Sequence, residues 1–128
     1  MSDDVATSPS GTATGYEPAG WLRLIVALWS GPHWWATHLG LTYLVVPETC
    51  EYGLEWTLHL ITVGTALGCA VGWWVSRGVV RRAAAHRDVD RYARRDAYLG
   101  WIGVFMSVFF LAVTLMEGVP ALFLSPCW

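Results

Sequence analysis

The sequence predicts an all-α integral membrane protein with three transmembrane helices. Three observations point there. Hydrophobic residues make up 55% of the chain and charged residues 14%, whereas a soluble globular domain carries about 25% charged residues. The apolar residues gather into three long segments, about 21–47, 54–76 and 97–117. Each is long enough to cross: a helix rises about 1.5 Å per residue, so ~20 residues span a hydrocarbon core of about 30 Å. Finally, the chain has eight basic residues, all arginine, and seven of them lie between the second and third segments. With 128 residues there is room for one domain, and three spans leave little else.

The opening stretch, MSDDVATSPSGTATGYEPAG, is acidic, rich in Ser, Thr and Gly, and lacks the basic n-region of a secretory signal. It predicts a disordered cytoplasmic lead-in over 1–20, ahead of a transmembrane domain over 21–128. Span one carries Pro32 at its middle. A proline there removes one backbone hydrogen bond and frees the carbonyl of Leu28, so a kink is expected. Pro47 is expected to end the span, and PETCEYG to turn the chain. His33, beside Pro32, is a candidate to cover the freed backbone groups.

Span two contains Gly64, Gly68 and Gly72, a ladder at every fourth residue that lets another helix approach closely. Span three offers the matching small face, with Gly100, Gly103, Ser107 and Thr114. Cys69 reads as a small packing residue. The segment SRGVVRRAAAHRDVDRYARRDAY has good helix formers and no proline, and predicts a helical extension of span two into the cytoplasm before the chain turns. Arg81, Arg82, Arg94 and Arg95 there either hold anionic lipid headgroups or act only as topology determinants. His86 reads as a solvated surface histidine.

The arginine-rich loop sets orientation by the positive-inside rule: loop and N-terminus cytoplasmic, residues 48–53 and 118–128 outside. Glu48, Glu51, Glu55 and Glu117 then share the outer side. Trp21, Trp73, Trp74 and Trp101 fall toward the inner ends of the spans, and Trp56 and Trp128 toward the outer, as interfacial belts do. Cys50 and Cys127 also share the outer side. They form a disulfide or remain two free thiols; no ligand cluster around them favours a metal.

His33, His38 and His59 lie inside spans, where an ionisable residue marks a functional candidate. His38 and His59 sit at loosely matching depth on consecutive helices and are the one pair able to ligate a haem b. Against that, no arginine-rich propionate site lies at that end. The alternatives are hydrogen bonds across helices, with Thr42 or Thr62 as partners, or a quinone or proton-pathway role involving His38 or Glu117. At about 100° per residue His59 lies opposite Gly68, and span one presents two polar stripes, Ser30–His33–Thr37 and Trp34–His38–Thr42. So much specific surface predicts a subunit of something larger.

The combination Pro32-x-x-Trp35-x-x-His38-x-x-x-x-Tyr43-x-x-x-Pro47-x-x-Cys50, then Trp56-x-x-His59, then Pro120 and Pro126-Cys127, resembles small membrane proteins of three or four helices encoded beside bacterial terminal oxidase genes. Those proteins have no settled activity. The resemblance covers about residues 20–50, 54–66 and 117–127. It implies a bacterial cytoplasmic membrane, a bioenergetic setting, and His38, Cys50, His59 and Cys127 as the positions to test.

No nucleophile elbow, metal-spaced Cys/His cluster or phosphate loop occurs in the sequence, and the basic loop is too short and too close to the membrane for nucleic-acid recognition. The expectation is a non-catalytic accessory subunit of a membrane electron-transfer complex, respiratory or photosynthetic, that positions neighbouring subunits, pigments or lipids. A basic soluble electron carrier steered by the outer glutamates is a further candidate partner. The alternatives are a small haem b- or quinone-binding electron-transfer protein and a small transporter or channel.

Overall fold

The computed structural model describes residues 15–124 and Cys127. Residues 1–14 of the lead-in, Pro126 and the belt residue Trp128 lie outside the described residues. The regular elements among them are all helices, with no strand: α1 (Trp21–Tyr52), α2 (Trp56–Ala84), α3 (Arg91–Gly118) and a short α4 (Pro120–Phe123). The three long helices pack against one another pairwise. Two stretches, Trp56–Ala84 and Arg91–Phe123, are long and apolar enough to cross a membrane. At 32 residues α1 has the length, but it is not one of the two. Its Trp, His, Gly, Thr and Pro residues dilute its apolar character.

The bundle is inside-out by the standards of a soluble protein. Its interior holds small and polar residues, among them Ser30, Thr65, Cys69, Ser76, Ser107 and Thr114. Its outer faces hold large apolar ones, such as Trp29, Leu44, Leu67, Trp74, Phe105 and Met116. In water this arrangement forfeits the hydrophobic driving force. In lipid it is what packing demands, because helices there associate through close backbone approach and interhelical hydrogen bonds.

The seam follows a 3.5-residue repeat. On α2 the buried positions are Leu58, Thr65, Cys69, Gly72, Ser76, Val79 and Ala83, with Gly68 alongside. On α3 they are Ala93, Asp96, Gly100, Gly103, Ser107 and Thr114. Alternating steps of three and four wrap helices left-handedly. A ladder at every fourth residue instead drifts by about 40° per step. The predicted glycine ladder is corrected accordingly. Gly68 and Gly72 face the seam, where an added Cβ would collide with the Trp34 indole and the Ser30 hydroxyl respectively. Gly64 has rotated to the exposed side and a Cβ there meets nothing. The small face of α3 joins as expected: a Cβ on Gly103 would lie 2.6 Å from the Ala27 carbonyl oxygen. Ser30 Oγ donates to the Gly68 carbonyl at 3.0 Å and Ser76 Oγ to the Ala27 carbonyl at 3.1 Å, stitching α1 to α2.

Pro47 does not end α1. Proline costs a helix one hydrogen bond but its φ is helical, so the helix runs on through Pro32 and Pro47. It stops at Gly53, which adopts the left-handed conformation at φ 69° and returns its N–H to the Thr49 carbonyl. The arginine-rich segment is helical on both sides of a turn: α2 reaches Ala84, and Asp90 caps α3 by accepting from the N–H groups of Tyr92 and Ala93 at 2.7 and 3.3 Å.

The lead-in is not free as far as residue 20. Tyr16 is buried against Ala83 and Ala93. At the opposite end of the bundle a disulfide joins Cys50, near the end of α1, to Cys127 beyond α4, with 5.4 Å between Cα atoms.

Candidate functional site

The residues with the richest chemistry converge near the disulfide-linked end. Helix α1 supplies Trp35 and His38, one turn apart on one face. Helix α2 supplies Thr62 and α3 supplies Glu117. His38 is 4% exposed. Its Nε2 lies 3.1 Å from the Thr62 hydroxyl, and its Nδ1 lies 3.4 Å from Glu117 Oε2, close enough for an ion pair but off the line of a hydrogen bond. The Trp35 indole N–H donates to Glu117 Oε1 at 3.3 Å. A groove of about 470 Å³ opens beside these groups, walled by His38, Thr42, Tyr43, Val46 and Glu117.

The hydrogen-bond logic gives this cluster two proton states. Thr62 Oγ1 stands 3.0 Å from the Leu58 carbonyl, one turn back. In one state the hydroxyl donates to that carbonyl and its oxygen accepts from His38 Nε2–H. A proton is then required between Nδ1 and Glu117, since an imidazole lone pair facing a carboxylate is repulsive. In the other state the hydroxyl turns and donates to Nε2, and Nδ1–H faces the Glu117 carboxylate. The two states differ by one proton and one hydroxyl rotation.

His59 is not part of this cluster. The seam takes Leu58 and Thr62, which turns His59 about 100° away from Leu58. It is half-buried, without a polar partner among the described residues, and the His38 ring nitrogens face Thr62 and Glu117 instead. The two histidines, paired by position along the chain, therefore have no contact with one another among the described residues. His33 is exposed, and its ring meets Trp34 edge-on at 5.7 Å, so it covers no freed carbonyl.

A second polar centre lies at the other end, and the sequence did not single it out. Asp96, 0% exposed, accepts the Tyr16 hydroxyl at 2.9 Å and the Ala19 N–H at 2.7 Å. Arg95 Nε and Nη2 reach its other oxygen at 3.1 and 2.8 Å. Burial, followed by the hydrogen bond to Asp96, pushes the Tyr16 hydroxyl pKa up to about 12. Of the four candidate headgroup arginines, Arg81, Arg82 and Arg94 are exposed, while Arg95 is held by Asp96. His86 is not simply solvated: its ring packs on Tyr16 at 5.6 Å and its Nδ1 is buried. One signal for Asp96 exists in the sequence, its position in the Ala93–Asp96–Gly100–Gly103 register.

Cys69 Sγ sits in the seam against the Gly31 carbonyl at 3.8 Å. Among the described residues no group of three or more His, Cys, Asp and Glu side chains is placed to hold a metal ion. No protein-family model, curated protein or solved structure matches this chain.

Proposed function

We propose that this chain crosses the bacterial cytoplasmic membrane three times and serves as a non-catalytic accessory subunit of an electron-transfer complex. The observation that carries the reading is the inverted bundle. Interior polar groups bind helix to helix, and the outward faces of all three helices are apolar. On α1 these include Trp21, Leu22, Ile25, Trp29 and Leu44, which supports a third span beside the two of clear hydropathy. The arginines gathered at one end support a cytoplasmic N-terminus and an outer C-terminus. The resemblance to proteins encoded beside terminal oxidase genes supports the bioenergetic setting. Such faces suit lipid, pigment or a neighbouring subunit. Glu48, Glu51 and Glu55 are exposed at the outer end, where they would attract a basic electron carrier, whereas Glu117 is engaged by His38 and Trp35.

Gentle solubilisation of native membranes, with identification of what co-migrates, tests this directly. Co-migration with respiratory or photosynthetic subunits is the expected result. A chain that runs alone, or spectra of the isolated protein showing haem b, would overturn it.

The His38–Glu117 groove favours a second reading, a site for a proton or a quinone headgroup. A hydrogen-bonding headgroup would meet His38, Thr42 and Glu117 there, with Val46 and Leu39 as its apolar wall. Infrared difference spectroscopy distinguishes the two readings. A carboxyl band that responds to added quinone and is lost in Glu117→Gln supports the site; no response leaves the accessory reading.

A further inference from the structure

A groove of about 600 Å³ lies between α1 and α2 at the end where the lead-in docks. Arg23, in the first turn of α1, and Arg82, in the last turn of α2, stand on its rim, while Leu22, Val26 and Val75 form its apolar side and the buried Val79 closes its floor. Both arginines are exposed, and neither pairs with an acidic group among the described residues. Glu17 shares the rim without engaging either guanidinium, so the balance there is positive. The first turn of α1 adds to that field, because Gly20 offers no side-chain cap and the turn contains no acidic residue.

We infer that this groove holds one anionic phospholipid, with its phosphate between Arg23 and Arg82 and an acyl chain along Leu22, Val26 and Val75. The inference rests on the membrane reading above. Two guanidiniums on different helices supply the charge complement, and basic pockets between spans at the cytoplasmic face suit such headgroups. The apolar side supplies what a free phosphate has no use for. It also sorts the arginines that the sequence left together: Arg82 faces the groove, whereas Arg95 is committed to Asp96.

The test uses the full chain purified in neutral detergent. Resistance of the membrane-bound protein to carbonate extraction is measured first and examines the membrane reading alone. Native mass spectrometry then follows retention of phosphatidylglycerol against phosphatidylcholine. One phosphatidylglycerol should be retained in preference. Arg23→Gln and Arg82→Gln should each weaken retention about fivefold, the scale of one arginine at an anionic surface, and Arg94→Gln should not. Val26→Trp, which fills the apolar side, should lower retention with both arginines in place, and inorganic phosphate should not displace the lipid. Equal retention of the two lipids, equal loss in Arg94→Gln, or displacement by inorganic phosphate would overturn the inference. If Arg82→Gln does not fold, Arg23→Gln and Val26→Trp decide it: unchanged retention in either would overturn the inference.

Discussion

The two ends of the bundle each bury a polar centre, and they are built on opposite terms. At the lead-in end Asp96 is sealed from solvent and its two oxygens take four donors from Tyr16, Ala19 and Arg95. At the disulfide end Glu117 is one-third exposed, its contacts with Trp35 and His38 are long, and a groove opens beside it. A fully satisfied buried carboxylate fixes geometry, and a half-satisfied one at a groove is free to exchange partners. The comparison separates a fastening from a site. At the disulfide end the fastening is left to a covalent bond, so the carboxylate need not supply it.

Breaking the fastening should have the largest effect. Asp96→Ala strands the Tyr16 hydroxyl, the Ala19 N–H and Arg95, and should cost about 3 kcal/mol. Denaturant titration in detergent micelles measures this, and limited proteolysis should show cleavage near residues 15–20 that the parent resists. Cys50→Ser comes next. A bridge across 77 residues is worth up to roughly 4 kcal/mol in a soluble chain. On the proposed membrane reading the bilayer already restrains the unfolded state, so about 2 kcal/mol is expected, measured by the same titration with and without reductant.

Tyr16→Phe should act mainly through pH. The folded state holds the Tyr16 proton up to about 12, against the ordinary value of 10.0. Its contribution is therefore present below pH 10 and is lost as pH rises toward 12. A stability profile over that window should flatten in Tyr16→Phe. The smallest effect on stability belongs to Glu117→Gln, within about 1 kcal/mol. A loss as large as that in Asp96→Ala would make both ends fastenings and erase the comparison.

Much of this architecture was legible in the sequence because it is written in long periodic stretches. The apolar segments located the helices, and Gly68, Gly72, Gly103 and Ser107 announced where backbones approach. Gly64 misled because a four-residue spacing resembles a face over one turn and drifts off it over two. The partners of His38, Thr62 and Glu117, were harder to read than its depth, since depth can be counted along a chain while rotation depends on which residues the partner helix admits. Pro47 looked terminal because proline is hostile to water-exposed helices, yet it costs this one a single bond. Asp96 was hidden by its neighbours: within ARRDAY a carboxylate reads as solvated until the lead-in is folded over it.

The Cys50–Cys127 bridge has one more consequence. It closes α2, α3 and α4 into a covalent ring, with α1 entering at a single point. On the proposed three-span reading, the two thiols can meet only when the hairpin after α1 and the segment beyond α4 have arrived on the same side of the bilayer. On that reading the oxidised fraction of newly made chain is a gauge of completed insertion, readable on a non-reducing gel, and a chain stalled with its last helix untranslocated would be marked by its unpaired thiols.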